Sequence, residues 1–171
     1  MRVLIQGLGE IPIPITLSLK KLKPDVAYIL CSEYQLNYVH PKFEKSNRDV
    51  ITETARRLRI NLIFKRCDVF NPKSIRDCLI DILKRHNIFD DELMFNYTSG
   101  SAPVRLFLGV LGVQLSNYTR KSHVYYTIRY DKEKVQIVKN HGGALREFLP
   151  ADIDLLLEVC LRRPKRKKSQ R

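Results

Sequence analysis

Short, continuously apolar segments alternate with amphipathic segments along most of the chain. The apolar segments lie at Val3–Gln6, Val26–Leu30, Leu62–Lys65 and Leu93–Tyr97. Continuous apolar character is typical of strands in a parallel sheet, because such strands are buried on both faces. The pattern therefore predicts four buried parallel strands.

Helical patterns fill the gaps between these strands. We predict helices at Ile15–Leu22, at Asn47–Leu58, from Asn71-Pro72 onward, and at Pro103–Ser116. The last of these is apolar nearly all round, which predicts that it is buried. Its glycines, Gly109 and Gly112, allow another backbone to come close, and we expect them to pack against the sheet rather than against a second subunit.

The pattern changes after the fourth helix. His123–Arg129 and Val135–Val138 are predicted to form a β-hairpin at one edge of the sheet, and Ile153–Leu161 a final helix. Repeated strand–helix units predict an α/β fold with a Rossmann-like, doubly wound, mostly parallel sheet. We expect a Rossmann-like domain over 1–140, a helical extension over 141–161, and a basic, disordered tail over 162–171.

Composition is that of a soluble globular protein. The 171 residues are 44% hydrophobic and 29% charged, and no apolar run approaches the ~20 residues of a membrane span. We therefore expect a cytoplasmic protein without a membrane partner. Four cysteines, at positions 31, 67, 78 and 160, contain no C-x-x-C pair, which favours buried thiols in a reducing compartment.

Positive charge is concentrated at the C-terminus. The net charge is +13, and residues 162–171 carry seven basic side chains and no acidic one. A basic protein suits an anionic ligand such as a nucleotide or RNA. The tail is a candidate for phosphate contacts with nucleic acid or for a nuclear import signal, and the alternative is a disordered, solubilising end.

Three loops are expected to meet at one edge of the sheet, because ligands of doubly wound sheets bind beyond the carboxyl ends of the strands. These loops are Gly7–Pro14, Cys31–Phe43 and Thr98–Arg105. The third begins with a hydroxyl-rich turn directly before a helix, where backbone N–H groups attract phosphate. Arg105 follows within the helix. The alternative is an ordinary helix cap made by Ser101, with Pro103 in the first turn.

The other two loops carry weaker signals. Gly7-Leu8-Gly9-Glu10 matches half of a dinucleotide-binding motif, but Pro12 stands where its third glycine belongs, and the chain has no P-loop motif. The glycines permit close approach of a ligand or simply form a tight turn. Tyr34 and Tyr38 are candidates for stacking on a nucleobase, or they cover the core. We expect no cofactor and no metal ion, since the four histidines are scattered.

Together these features resemble the CRISPR-associated Rossmann-fold (CARF) domain over residues 1–140. The resemblance rests on the glycine loop after the first strand, on Ser32 after the second, on the turn at 96–101 and on the trailing hairpin. Many members carry an Asn-x-Thr-Gly-Gly-Thr-Lys turn. The positions that match it are Asn96, Thr98 and Gly100, with Ser101 in place of a threonine and Ala102 in place of the lysine.

This resemblance implies a homodimer that binds a cyclic oligoadenylate, cyclic tetra-adenylate first among them, across its two-fold axis. Some CARF proteins signal to a fused nuclease or DNA-binding domain, whereas ring nucleases cleave the messenger and switch off type III CRISPR signalling. About 30 residues follow the hairpin, too few for a fused nuclease domain, so we expect a stand-alone ring nuclease. The expected ligand-binding residues are Gly7, Gly9, Glu10, Ser32, Glu33, Asn96, Thr98, Ser99, Gly100, Ser101 and Arg105.

The mechanism implied is independent of metal. The 2′-hydroxyl of the ligand attacks the adjacent phosphate and leaves a 2′,3′-cyclic phosphate, while Arg105, Ser101 and the helix N-terminus stabilise the phosphoryl oxygens. His40 is a candidate acid or base. Two departures weaken catalysis more than binding: Ala102 removes a cation, and Glu10 stands where some ring nucleases have a serine.

Two alternatives remain open at the level of sequence. One is a non-catalytic cyclic-oligoadenylate sensor whose basic tail, 162–171, contacts nucleic acid. The other is a Rossmann-like enzyme of nucleotide or RNA metabolism that has no link to CRISPR signalling.

Overall fold

The computed structural model describes residues 1–41 and 44–128, together with the backbone of 144–148. The elements are, in chain order, β1 (Arg2–Gly7), α1 (Ile13–Leu22), β2 (Val26–Cys31), α2 (Glu33–Asn37), α3 (Asn47–Arg57), β3 (Asn61–Arg66), α4 (Pro72–Leu83), β4 (Glu92–Asn96), α5 (Ala102–Tyr118), β5 (Ser122–Ile128) and β6 (Ala144–Phe148).

These strands form one sheet in the order β3-β2-β1-β4-β5-β6. The pairs from β3 to β5 are all parallel, and β6 joins β5 in antiparallel orientation. Helices α1 and α3 cover one face, and α4 and α5 cover the other. The predicted α/β, Rossmann-like sheet is therefore confirmed, with β1 and β4 at its centre.

Successive side chains of the central strands point to opposite faces of the sheet, so the hydrophobic core has one half on each face. Val3 and Ile5 of β1 pack with α4 and α5, whereas Leu4 packs with α1 and α3. All three are fully buried, which explains why the strand is apolar without interruption.

The four predicted parallel strands, the predicted strand His123–Arg129 and four predicted helices lie within a few residues of observed elements. The third strand is not fully buried as predicted, because β3 lies at the edge of the sheet and is only half-buried. Helix α2 was not predicted, although Ser32 and Gln35 have the spacing of a capping box. The strand that pairs with β5 lies at 144–148, inside the range assigned to the helical extension. The predicted strand Val135–Val138, the final helix and the basic tail lie outside the described residues.

The prediction that the α5 region is buried all round is wrong. Val104, Leu108 and Gly112 face the sheet, but the side chains of Leu106 and Val110 are 66% and 53% exposed. A helix on the face of a sheet buries one side only, and no described element covers the outer side of α5. Gly112 does pack on the sheet, because a Cβ there would lie 2.8 Å from Val124 Cγ2.

Among the described cysteines, Cys31 is buried and both Cys67 and Cys78 are half-buried thiols, while Cys160 lies outside the described residues. No helix in the described part of the chain is long and apolar enough to cross a bilayer. Within the same residues, no group of three or more His, Cys, Asp or Glu side chains is placed to hold a metal ion.

Candidate functional site at the carboxyl edge of the sheet

The centre of the candidate site is the point where the chain leaves β1 and β4 toward opposite faces of the sheet. Such a switch point opens the crevice in which doubly wound folds bind ligands. Here the two loops touch: a Cβ on Gly7 would lie 2.6 Å from both Ser99 O and Val104 Cγ1. Gly100 has a φ of +109°, a backbone conformation that favours glycine. The glycines therefore allow the two loops to pack on each other.

The loop after β2 joins the same edge through α2 and α3. Ser32 caps α2, since its Oγ accepts a hydrogen bond from Gln35 N and its own N–H donates to Gln35 Oε1. Buried Asn47, at the start of α3, donates from Nδ2 to Glu10 O (3.1 Å) and to Gln35 O (2.8 Å). The structure thus brings together all three loops singled out from the sequence.

Asn96 supports the turn that follows β4, Thr98–Ser101, which is called the β4 turn below. Its Oδ1 accepts a hydrogen bond from Thr98 N at 2.9 Å, and its Nδ2 donates to Ser18 Oγ and Thr127 Oγ1. Thr98 Oγ1 in turn accepts from Thr127 N. Asn96 is fully buried, so its side chain supports the turn rather than facing a ligand.

The turn hydroxyls divide into two kinds. Ser101 Oγ accepts from Val104 N at 3.4 Å, as a helix cap, and donates to Val69 O in the β3–α4 loop. A hydroxyl has one proton to donate, so that of Ser101 is already committed. Ser99 Oγ makes no hydrogen bond with any described residue and lies against Gly9, where a Cβ would be 2.7 Å away. Ser99, which is 7% exposed, and Thr98, whose hydroxyl only accepts, therefore each keep a proton to donate.

Two helix N-termini border this crevice. In α5, Pro103 has no N–H and Val104 is capped, so Ala102 supplies the open first-turn donor. In α1, the N-cap residue Pro12 offers no side-chain cap, and Pro14 again lacks an N–H, which leaves the N–H of Ile13 open. The α1 terminus was not singled out from the sequence, although the Pro-Ile-Pro run indicates it.

Arg105 is an exposed cation that follows the turn in the chain. It lies on the first turn of α5, where Arg105 N donates to Ser101 O at 3.0 Å, and its guanidinium has no partner among the described residues. With Thr98 and Ala102 it lines one end of a groove of about 790 Å³. The remaining walls are mainly apolar and come from α5, Tyr97 and β5.

Glu33, which the sequence predicts as a ligand contact, is paired with two arginines. Its carboxylate accepts from Arg48 NH2 at 2.7 Å and from Arg66 Nε at 2.9 Å. Two arginines around one carboxylate leave this corner of the edge positive. The sequence analysis did not predict either arginine, because Arg48, Arg66 and the Glu33 carboxylate that binds them lie on three different elements.

An aromatic row runs along the loop after β2. The rings of Tyr34 and Tyr38 are 5.8 Å apart, and those of Tyr38 and His40 are 6.4 Å apart. Tyr34 is 76% exposed. Desolvation and the neighbouring Glu10 carboxylate raise the pKa of Tyr38. The row therefore presents flat surfaces beside the β1 loop.

No protein-family model matches the sequence, and no curated protein matches it. Solved structures do share the fold. Csm6 of Enterococcus italicus, bound to cyclic hexa-2′-fluoro-hexa-dAMP, aligns over 94% of this chain and 45% of its own, with 11% identity and a TM-score of 0.64. Can2 of Sulfobacillus thermosulfidooxidans, in complex with cyclic tetra-adenylate, aligns over 85% of this chain and 36% of its own, with 12% identity and a TM-score of 0.54.

A third structure, the protein VC1899 of Vibrio cholerae, aligns over 73% of this chain and 30% of its own, with 10% identity and a TM-score of 0.50. The present chain thus spans less than half the length of each of these proteins. At such identities the likeness establishes the fold and leaves the ligand to be argued from the site.

Proposed function

We propose that this protein binds a cyclic oligoadenylate, cyclic tetra-adenylate above all, at the carboxyl edge of the sheet. The observation that carries the proposal is the Thr98–Ser101 turn at the switch point, with the available Ser99 hydroxyl on one side and the unpaired Arg105 guanidinium on the other. Hydroxyls, cations and helix N-termini are the groups that bind phosphate. Two proteins of the same fold, Csm6 and Can2, have been solved with cyclic adenylates.

The aromatic row of Tyr34, Tyr38 and His40 would bind the adenine bases of the ligand. Adenine bases stack on flat side chains, and each stacked base contributes ~1–3 kcal/mol. Tyr34 and Tyr38 stand beside Glu10 at the rim of the site. The phosphates would lie at the β4 turn and a base on the tyrosines.

The proposed assembly is a homodimer with the ligand on its two-fold axis. Leu106 and Val110 leave an apolar stripe on the outer face of α5, in the same groove as Arg105. A second copy that covers this stripe would bring a second β4 turn to the ligand. A cyclic tetranucleotide has the symmetry that such an isologous interface needs.

Cleavage is the finer part of the proposal. The 2′-hydroxyl of a bound nucleotide attacks its phosphate, and Arg105 stabilises the charge that develops on the phosphoryl oxygens. Ser99 fits the supporting role better than Ser101, whose proton is donated to Val69 O. His40, next to Tyr38, is the candidate acid or base. The resulting protein would act in the cytoplasm to end the signal.

Two measurements on the full chain test these parts separately. Thermal unfolding with cyclic tri-, tetra- and hexa-adenylate measures binding, because a ligand of the folded state raises its apparent stability. Incubation of labelled cyclic tetra-adenylate in EDTA then measures cleavage, with linear products ending in a 2′,3′-cyclic phosphate as the expected result. Absence of any stabilisation contradicts the proposal, and tight binding of intact ligand reduces it to a sensor.

The sensor alternative makes its own prediction about the basic tail. If residues 162–171 contact nucleic acid, a gel shift should depend both on the messenger and on the tail. A chain shortened by these ten residues is the matched control. A shift that survives the deletion would exclude the tail as the contact.

A further inference from the structure

Three cysteines lie together at the carboxyl ends of β2 and β3, next to the candidate site. Cys67 N donates to Cys31 O at 3.0 Å, which sets the end of β3 against the end of β2. The thiols of Cys67 and Cys78 are close enough for each to shift the pKa of the other. Cys78 Sγ also lies 3.8 Å from Arg66 O, so α4 holds this sulfur directly over the start of the β3–α4 loop.

The two thiols of the pair are not equivalent. The neighbouring Cys67 thiol and the Lys65 ammonium lower the pKa of Cys78 to about 7, against the opposing effects of burial and Asp81. Burial raises the pKa of Cys31 to about 12. Only a thiolate is a strong nucleophile, which distinguishes Cys78 from its buried neighbour.

We propose that Cys78 is a peroxide-reactive thiol and that Cys67 resolves it to a Cys67–Cys78 disulfide. The Cys78 thiolate attacks one peroxide oxygen, the O–O bond breaks, and the leaving hydroxide takes a proton to become water. Cys67 then attacks the sulfenic acid sulfur and displaces a second water. Two thiols and one hydrogen peroxide thus give one disulfide and two waters.

The surroundings of the pair permit this chemistry. Both sulfurs are half-buried rather than enclosed, so a small oxidant can reach them. The Cys78 sulfur lies beside the peptide bond that precedes Cys67, and a disulfide requires the two sulfurs to approach to ~2.05 Å. The loop that the bond would close contains Val69, whose carbonyl accepts the Ser101 hydroxyl.

The sequence around the pair makes the product easy to identify. Trypsin cuts after Arg66, Lys73, Arg76 and Lys84, and so places the two cysteines in the separate peptides Cys67–Lys73 and Asp77–Lys84. We expect the folded full-length protein, treated with hydrogen peroxide and alkylated, to give these two peptides joined by a disulfide. A reductant should restore both free thiols.

Variants assign the roles. In Cys67→Ser, oxidation should stop at a Cys78 sulfenic acid that a 1,3-dione reagent traps, while Cys78→Ser should give neither the trapped acid nor the linked peptides. Cys31→Ser is the matched control and should still yield the link. Without peroxide, Cys78 of the wild-type chain should react with iodoacetamide at least about tenfold faster than Cys31 at pH 7.

Two results would overturn the proposal. One is a wild-type protein in which peroxide leaves Cys67 and Cys78 unlinked. The other is Cys78 alkylation no faster than that of Cys31. Both are measured on the unmodified sequence, so neither depends on whether a variant folds.

Discussion

The backbone oxygen of Ser99 occupies the space that a side chain on Gly7 would need. A Cβ at Gly7 would lie 2.6 Å from that oxygen and equally close to Val104 Cγ1. The β1 loop and the β4 turn therefore form one packed unit, and the position of the turn depends on the absence of a side chain in the strand beside it.

Gly7→Ala should destabilise the protein by ~1–3 kcal/mol, the usual cost of forcing an extra group into a packed core. Urea unfolding measures this. Gly109→Ala is the matched control, because its Cβ would meet nothing closer than 3.7 Å and a helical alanine should add about 0.5–1 kcal/mol. Equal stability of Gly7→Ala and wild type would contradict the packing described.

Much of the fold follows from hydrophobic pattern alone. Strands such as β1 and β2 are apolar throughout because each buries both faces, and that signal predicts a parallel sheet. The switch-point rule then places the site at the correct edge before any contact is known. Helix α2 is the missed element, and its Ser32–Gln35 capping box is a signal that the sequence does carry.

The sequence does not predict which partner each hydroxyl of the site will bond to. Ser101 donates to Val69, 32 residues away, and Thr98 accepts from Thr127, 29 residues away. No local pattern shows which of three neighbouring hydroxyls will find such a partner. The exposure of Leu106 escaped prediction for a similar reason, since an apolar helix does not reveal what covers its outer face.

Ser101 and Ser99 should therefore respond differently to alanine. Ser101→Ala removes a helix cap and the donor to Val69 O, so the free energy of unfolding should fall by about 1–2 kcal/mol. Ser99→Ala should leave stability within about 0.5 kcal/mol and weaken cyclic tetra-adenylate binding about tenfold or more. Urea unfolding and calorimetric titration separate the two effects. If Ser101→Ala weakens ligand binding and Ser99→Ala does not, Ser101 is the ligand contact instead.

Arg105→Ala should weaken binding of cyclic tetra-adenylate by ~1.5–3 kcal/mol, or about 10- to 150-fold, because a charge-assisted hydrogen bond to phosphate is lost. Arg120→Ala is the control. This arginine is also exposed but follows α5 at the opposite edge of the sheet, so its loss should change affinity little. If both variants bind like the wild type, Arg105 has no part in the site.

The apolar stripe on α5 gives a test of the dimer. Val110→Glu places a charge in the proposed interface and should convert a dimer into a monomer in sedimentation experiments, with weaker binding of the ligand. Ile80→Glu is the matched change on α4, where the side chain is 42% exposed, and it should leave the dimer intact. A wild-type monomer that binds the ligand, or a dimeric Val110→Glu, would place the interface elsewhere.

The lowered pKa of Cys78 predicts that its rate of alkylation depends on pH. Alkylation of Cys78 should be slow at acidic pH, where the thiol is protonated, and should rise with a midpoint at pH about 7 as the thiolate forms. Lys65→Met removes a cation that favours the thiolate and leaves Asp81 paired with Arg85 alone instead of with both cations. Both changes raise the pKa of Cys78, so the midpoint should move upward. Peptide-resolved alkylation rates between pH 5 and pH 9 measure the shift, and an unchanged midpoint would show that Lys65 does not tune this thiol.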